Sequence, residues 1–234
     1  MFYSYPATAT SENWLHWCLM VMLVEVHDAV DAGNDPPDWP SSIPQQYREK
    51  IQPKHGIKAK LNTYSDTLKN LNATERSDVR ETFIRQNQLK QLFRCHHNCK
   101  QIDELPTSIQ EPIKNLLKQA FSLLTDFEIR DKHYRIIYER AEQKLCPFCG
   151  LEPFDAPGAP REDDDHYLPR SRYPFAGANL RNLVPMGSKC NGRYKDTAAL
   201  TLVRFLPHRC ALDAGSKRIL AFGGTEKSMF GCRP

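Results

Sequence analysis

Asp165-His166-Tyr167-Leu168-Pro169-Arg170-Ser171, then Asn182-Leu183-Val184-Pro185, then Cys190-Asn191-Gly192-Arg193-Tyr194-Lys195: these three segments decide how the chain is read. Taken singly, each part is ordinary. A histidine beside an acidic run (Asp163, Asp164, Asp165) is commonly a solvated loop residue. An asparagine ahead of Leu-Val-Pro is commonly a turn residue, and one following a cysteine is commonly a helix cap. Those separate explanations do not predict all the parts in this order. Lys195 follows Asn191 by four residues, so on a helix the two side chains project from one face.

Together the three segments resemble the HNH nuclease motif. The resemblance covers residues 144–205 and implies a β-hairpin followed by a helix, the ββα-metal fold, wrapped around one divalent ion beside a histidine. It makes His166 the general base, Asp165 and Asn191 the protein ligands of the catalytic metal, and Asn182 the residue that orients the loop holding the base. The chemistry explains these residue types. Phosphodiester hydrolysis needs a deprotonated water, which a neutral imidazole near pH 7 can generate. It also needs a hard cation such as Mg²⁺ or Mn²⁺, held by oxygen ligands, against the phosphate and the leaving oxygen.

Charge points to a polyanionic substrate. From His166 to Arg209 the basic residues are Arg170, Arg172, Arg181, Lys189, Arg193, Lys195, Arg204 and Arg209, against one acid, Asp196. The whole chain carries a formal charge of only +4, so the excess is local. A local basic surface suits phosphate contacts, with Arg170, Arg172, Arg193 and Lys195 as the candidate substrate-binding residues. Tyr167, Tyr173 and Phe175 interleave with these charges and suit either base stacking or the core.

Cysteine usage gives a second line. The chain has 8 cysteines in 234 residues. Met1–Ala7 lacks a positively charged n-region. The apolar stretch Trp14–Val26 is interrupted by His16 and Glu25 and is too short to span a bilayer. The expectation is a cytoplasmic protein with reduced thiols and no membrane association. Cys146-Pro147-Phe148-Cys149 opens the motif region as a zinc knuckle does. Many HNH proteins close a four-cysteine zinc site with a second C-x-x-C. Here the corresponding positions read Gly187 and Cys190, so Cys146, Cys149 and Cys190 are the candidate Zn²⁺ ligands and one ligand is missing. His208 or Cys210 would complete the site; decay into apolar packing is the alternative. A further cluster, Cys95-His96-His97-Asn98-Cys99, lacks a matching downstream pair and reads as helix-end histidines and buried thiols.

The remainder reads as helical scaffold. Ser11–Ala32 is a buried helix, apolar on much of its surface. A loop dense in Asp, Pro and Ser runs from Gly33 to Pro44. Leu61, Tyr64, Leu68 and Leu71 form another helical stripe, and Thr74 or Ser77 is the expected cap of the next helix. Pro112 is expected in the first turn of a helix carrying Ile113, Leu116, Leu117, Ala120, Leu124 and Phe127. Tyr134, Ile137, Tyr138, Ala141 and Leu145 extend the pattern to the first motif cysteine. After Gly215 a short strand and turn are expected.

The fold class expected is therefore mainly α with a small α+β module. Residues 1–143 form a helical scaffold or partner-docking region, 144–205 the ββα-metal module, and 206–234 a C-terminal extension. The expected function is a metal-dependent endonuclease acting on DNA. The compact organisation looks like the HNH subunits of bacterial antiphage defence systems, in which, in the Septu type, the nuclease works with an ATPase partner. The competing readings are a non-catalytic nucleic-acid-binding module with an HNH-like fold and an RNase.

Overall fold

The computed structural model describes residues 7–36, 43–52, 55–93, 99–158 and 164–191. Within them the protein is mostly helical with one small antiparallel sheet. Seven α-helices are present among the described residues: α1 (Trp14–Asp31), α2 (Gln45–Ile51), α3 (His55–Lys69), α4 (Ala73–Asn87), α5 (Leu89–Phe93), α6 (Thr107–Asp126) and α7 (Ile129–Arg140). Strands β1 (Asp164–His166) and β2 (Leu183–Pro185) follow. Among these helices none is long and apolar enough to cross a membrane.

The core forms because α1 offers apolar surface on several sides at once. Leu15, Cys18, Leu19, Met22, Leu23 and Val26 are all at most 3 % exposed. Helices α3, α4 and α6 pack around it, and α3 and α6 share the most extensive contact. Along α6, Ile109, Ile113, Leu116, Leu117, Ala120 and Leu124 recur at three- and four-residue steps and are buried together. The same core continues into Phe175, Ala178, Leu180 and Leu183. The helical half and the residues around β2 thus bury one another.

Three helix boundaries differ from expectation. The cap of α4 is Asn72, not Thr74 or Ser77. Its side chain accepts from the Glu75 N–H while Glu75 reaches back to the Asn72 N–H, a reciprocal box. Pro112 lies inside α6, which begins at Thr107. The carbonyl that loses its partner there belongs to Ser108, an exposed residue whose backbone water can serve. The pattern expected to run on to Leu145 is broken twice. Glu128 takes a left-handed conformation (φ 56°) between α6 and α7, and α7 stops at Arg140, where Ala141 becomes extended.

Beyond α7, Leu145 pairs with Pro153 in a single antiparallel bridge. The bridge closes a turn containing Cys146-Pro147-Phe148-Cys149-Gly150. Gly150 sits at φ 67°, a conformation that costs a residue with a Cβ. A second, small apolar cluster forms here from Cys146, Phe154, Met186 and Cys190, with Tyr138, Phe148 and Cys149 against it. The Cys95–Asn98 cluster, His208, Cys210 and the residues after Gly215 lie outside the described residues.

Candidate functional site

Two short strands place the first two motif residues. Asp165 pairs with Val184 and His166 with Leu183, and the Tyr167 N–H donates to the Asn182 carbonyl at 2.9 Å. Residues 167–182 form the connection. It is no free loop, because it folds back through single-turn 3₁₀ segments at Pro174–Ala176 and Leu180–Asn182.

Asn182, at the end of this connection, is fully buried. Its Oδ1 accepts from the Leu168 N–H at 2.8 Å, and its Nδ2 donates to the carbonyls of Leu168 and Ala176, each at 3.1 Å. One amide therefore ties the residues just after His166 to those just before Gly177. The Gly177 carbonyl is in turn the partner of His166, whose Nε2 lies 2.9 Å from it. A carbonyl can only accept, so Nε2 carries the proton and the neutral ring keeps its basic lone pair on Nδ1. A backbone oxygen thus sets both the tautomer and the ring orientation.

The connection is also held from outside. Gln86 and Asn87, at the end of α4, bracket Phe175. Gln86 Oε1 accepts its N–H at 3.0 Å and Asn87 Nδ2 donates to its carbonyl at 3.2 Å. Asn13 donates to Asn179 Oδ1 at 3.1 Å and accepts the Leu180 N–H at 3.0 Å. On α7, His133 faces the Ala9 carbonyl at 2.7 Å and lies 3.5 Å from that of Leu183.

The wall beside His166 comes from the helical half. Phe121 of α6 lies 5.0 Å from the His166 ring, centroid to centroid. Two guanidinium groups sit over the same phenyl ring: Arg170 at 4.7 Å and Arg130 of α7 at 5.2 Å. Burial, and after it the charge of Arg130, lower the pKa of Arg170 from its ordinary value, which leaves a guanidinium charged at any working pH. Phe121 and Arg130 are not among the residues expected from sequence. Phe121 directly follows Ala120 of the apolar stripe of α6, and nothing in the local sequence marks it or Arg130 as part of the site.

The other expected residues are distributed as follows. Asp165 is buried, at 7 % exposure. Arg172 has an exposed side chain, while its carbonyl accepts the Ile102 N–H at 2.9 Å. Phe175 is core, and Tyr167 stands 6.2 Å from Phe148 of the cysteine turn, ring to ring. Asn191 is half-buried on a helical turn after Gly187, with its N–H donating to the Gly187 carbonyl at 2.9 Å. Arg193 and Lys195 lie outside the described residues.

The three cysteines come together. The Sγ atoms of Cys146, Cys149 and Cys190 all lie within 4.8 Å of one another, a grouping able to hold a metal ion. Burial pushes the Cys149 thiol up, but the N–H groups of Glu152 and Leu151 and the two neighbouring sulfurs outweigh it and bring the pKa below the ordinary thiol value. Burial, with those same neighbouring sulfurs, pushes Cys190 up. Cys149 is thus more readily deprotonated than Cys190, and an incoming cation favours the thiolate forms of its ligands.

Comparison of the chain with family models, with curated proteins and with solved structures finds no match in any of the three.

Proposed function

We propose that this protein is a metal-dependent endonuclease of the HNH type, hydrolysing phosphodiester bonds in DNA. The observation that carries the reading is the hydrogen bond from His166 Nε2 to the Gly177 carbonyl at 2.9 Å, within a connection braced by the buried Asn182. A histidine on a solvated loop has no need of a fixed tautomer. A general base does, because the proton must arrive at one defined nitrogen.

In this reading Nδ1 of His166 takes the proton from the attacking water, and the Gly177 carbonyl steadies the imidazolium that results. Asn182 keeps that carbonyl in place. Arg170 and Arg130, stacked on Phe121 beside the imidazole, attract the backbone phosphates. The carboxylate of Asp165 and the amide of Asn191 are oxygen donors, the chemistry a hard cation prefers. They are the residues that would hold Mg²⁺ or Mn²⁺. Such an ion supplies charge neutralisation at the phosphate and the leaving oxygen.

The three thiols are assigned to a separate, structural Zn²⁺. Phe148 packs on Tyr167, the neighbour of His166, so an ordered cysteine turn supports β1. Action as the effector subunit of a defence complex, beside an ATPase, rests on the resemblance in organisation alone, and co-purification with such a partner tests it. The nuclease reading itself is tested by incubating purified protein with supercoiled plasmid and Mg²⁺ or Mn²⁺. Nicking or linearisation that EDTA abolishes is expected. Cleavage indifferent to EDTA, or cleavage of RNA alone, contradicts the reading.

A further inference from the structure

Tetrahedral zinc takes four protein ligands in a structural site, and the three thiols supply three. Position 187, at C-x-x-C spacing from Cys190, is glycine, and the packing around it gives the reason. A Cβ built on Gly187 would lie 2.0 Å from Oε2 of Glu152 and 2.5 Å from its Cδ. The Glu152 carboxylate fills the space that a side chain at 187 would need. Glu152 belongs to the cysteine turn: its carbonyl accepts the Cys146 N–H at 2.7 Å, and its own N–H donates to the Cys149 sulfur. From there its side chain crosses to the segment bearing Cys190, where Oε1 accepts from Ser188 Oγ at 3.1 Å. Oε2 is sealed from solvent and has no hydrogen-bond partner. A buried carboxylate oxygen without a donor is costly, and a cation relieves the cost.

We propose that Glu152 is the fourth ligand of a Cys₃Glu zinc site formed with Cys146, Cys149 and Cys190, and that Gly187 leaves the room its side chain needs beside the site. The three sulfurs already stand within 4.8 Å of one another, while Glu152 lies outside that triangle. Ligation therefore requires a rotation about the Glu152 side-chain torsions that carries one oxygen from beside Gly187 to the three sulfurs. Three thiolates and one carboxylate carry the same total charge as four thiolates, so exchanging Cys for Glu conserves the electrostatics of the site. The inference rests on the zinc reading of the three thiols and is independent of nuclease activity.

The test uses the full chain and reads the metal directly. Zinc content and affinity are measured by chelator competition, and the ligand set by the absorption of the Co²⁺-substituted protein. Wild type is expected to hold one equivalent, with charge-transfer intensity for three thiolates. Glu152→Gln is expected to weaken affinity by ~10-fold or more. Gly187→Cys alone is expected to add no thiolate, because Glu152 occupies the space. The double variant Glu152→Ala/Gly187→Cys is expected to regain affinity and show a fourth thiolate band contribution, which keeps the test decisive if Glu152→Gln folds poorly. Unchanged affinity and spectrum in Glu152→Gln, or a fourth thiolate in Gly187→Cys alone, would overturn the assignment of Glu152. Absence of bound metal in wild type would overturn the zinc site as a whole while leaving the plasmid result untouched.

Discussion

The rings of His166 and Phe121 lie 5.0 Å apart, centroid to centroid, and inclined at 47°, although one belongs to β1 and the other to α6. The candidate base therefore leans on the helical half of the molecule, and through Phe121 it shares a wall with Arg130 and Arg170. The N-terminal helices are part of the site's construction.

Replacing Phe121 by alanine removes that wall. The ring is half-buried, so the expected loss is about 1–3 kcal/mol of stability, read as a lowered urea midpoint. The cleavage rate is expected to fall further than the fraction folded accounts for, because the imidazole and both guanidinium groups lose their common support. Phe121→Tyr, which keeps the ring, should retain most of the rate. A Phe121→Ala protein that stays folded and cuts at the wild-type rate would detach α6 from the site.

Asn182→Ala strands three backbone groups at once: the buried Ala176 carbonyl and the part-buried N–H and carbonyl of Leu168. Leaving buried polar groups unpaired costs about 1–3 kcal/mol each, partly recovered by entering water. The expected result is a loss of several kcal/mol, with greater protease sensitivity in residues 167–182. Asn182→Asp preserves the acceptor for Leu168 but sets a carboxylate against two carbonyl oxygens, and should do little better. Thermal and urea unfolding, with limited proteolysis, check both.

Arg130 and Arg170 are predicted to act on the nucleic-acid backbone without sequence preference. Each alanine variant should lower affinity uniformly across sequences and reduce the slope of log K against log[salt] by about 1. Fluorescence anisotropy over a salt series reads this directly. A salt-independent loss would mean that the substitution damaged packing around Phe121 and removed no phosphate contact.

Acid sensitivity follows from two histidines of α1. Burial, and after it the charge of Arg181, lower the pKa of His16 to about 3. Burial, together with nearby Arg80, lowers that of His27 to about 4. His27 Nε2 meets the Tyr64 hydroxyl at 2.7 Å, and the Nδ1 atoms of both histidines are buried without a partner, so a second proton on either ring has nowhere to bond. As pH falls below the ordinary histidine value of 6.5, the unfolded chain binds protons that the folded chain refuses. Stability is therefore full above that pH and drains away as pH falls towards the folded values. At pH 5 the loss is about 2 kcal/mol per histidine. Urea midpoints at pH 7 and pH 5 measure it, and equal midpoints would contradict it.

What the sequence could disclose followed from what is local. The apolar stripes of α1 and α6 appear as such because burial on a helix repeats every three to four residues. The C-x-x-C turn could be read because two thiols so spaced have few other uses. Helix ends were harder. Pro112 looks like a first-turn residue, yet α6 starts five residues earlier at Thr107, since periodicity reports faces and not ends. The cap at Asn72 was present as Asn-x-x-Glu, a pattern that outranks Thr74 or Ser77 because it satisfies two N–H groups at once. Phe121, Arg130 and Gln86 could not be assigned to the site in advance. Their roles arise from helices packing on residues 167–182, contacts that no local pattern encodes. Glu152 is a similar case: only the space around Gly187 reveals what its carboxylate faces.

The most direct test of the account is single-turnover cleavage of duplex DNA by the His166→Ala protein, with and without added imidazole. Circular dichroism and DNA affinity close to wild type, a cleavage rate lowered ~100-fold or more, and partial recovery with imidazole are the predicted results. A folded His166→Ala protein that cuts at the wild-type rate would contradict the assignment of His166 as the base, and with it the proposed mechanism.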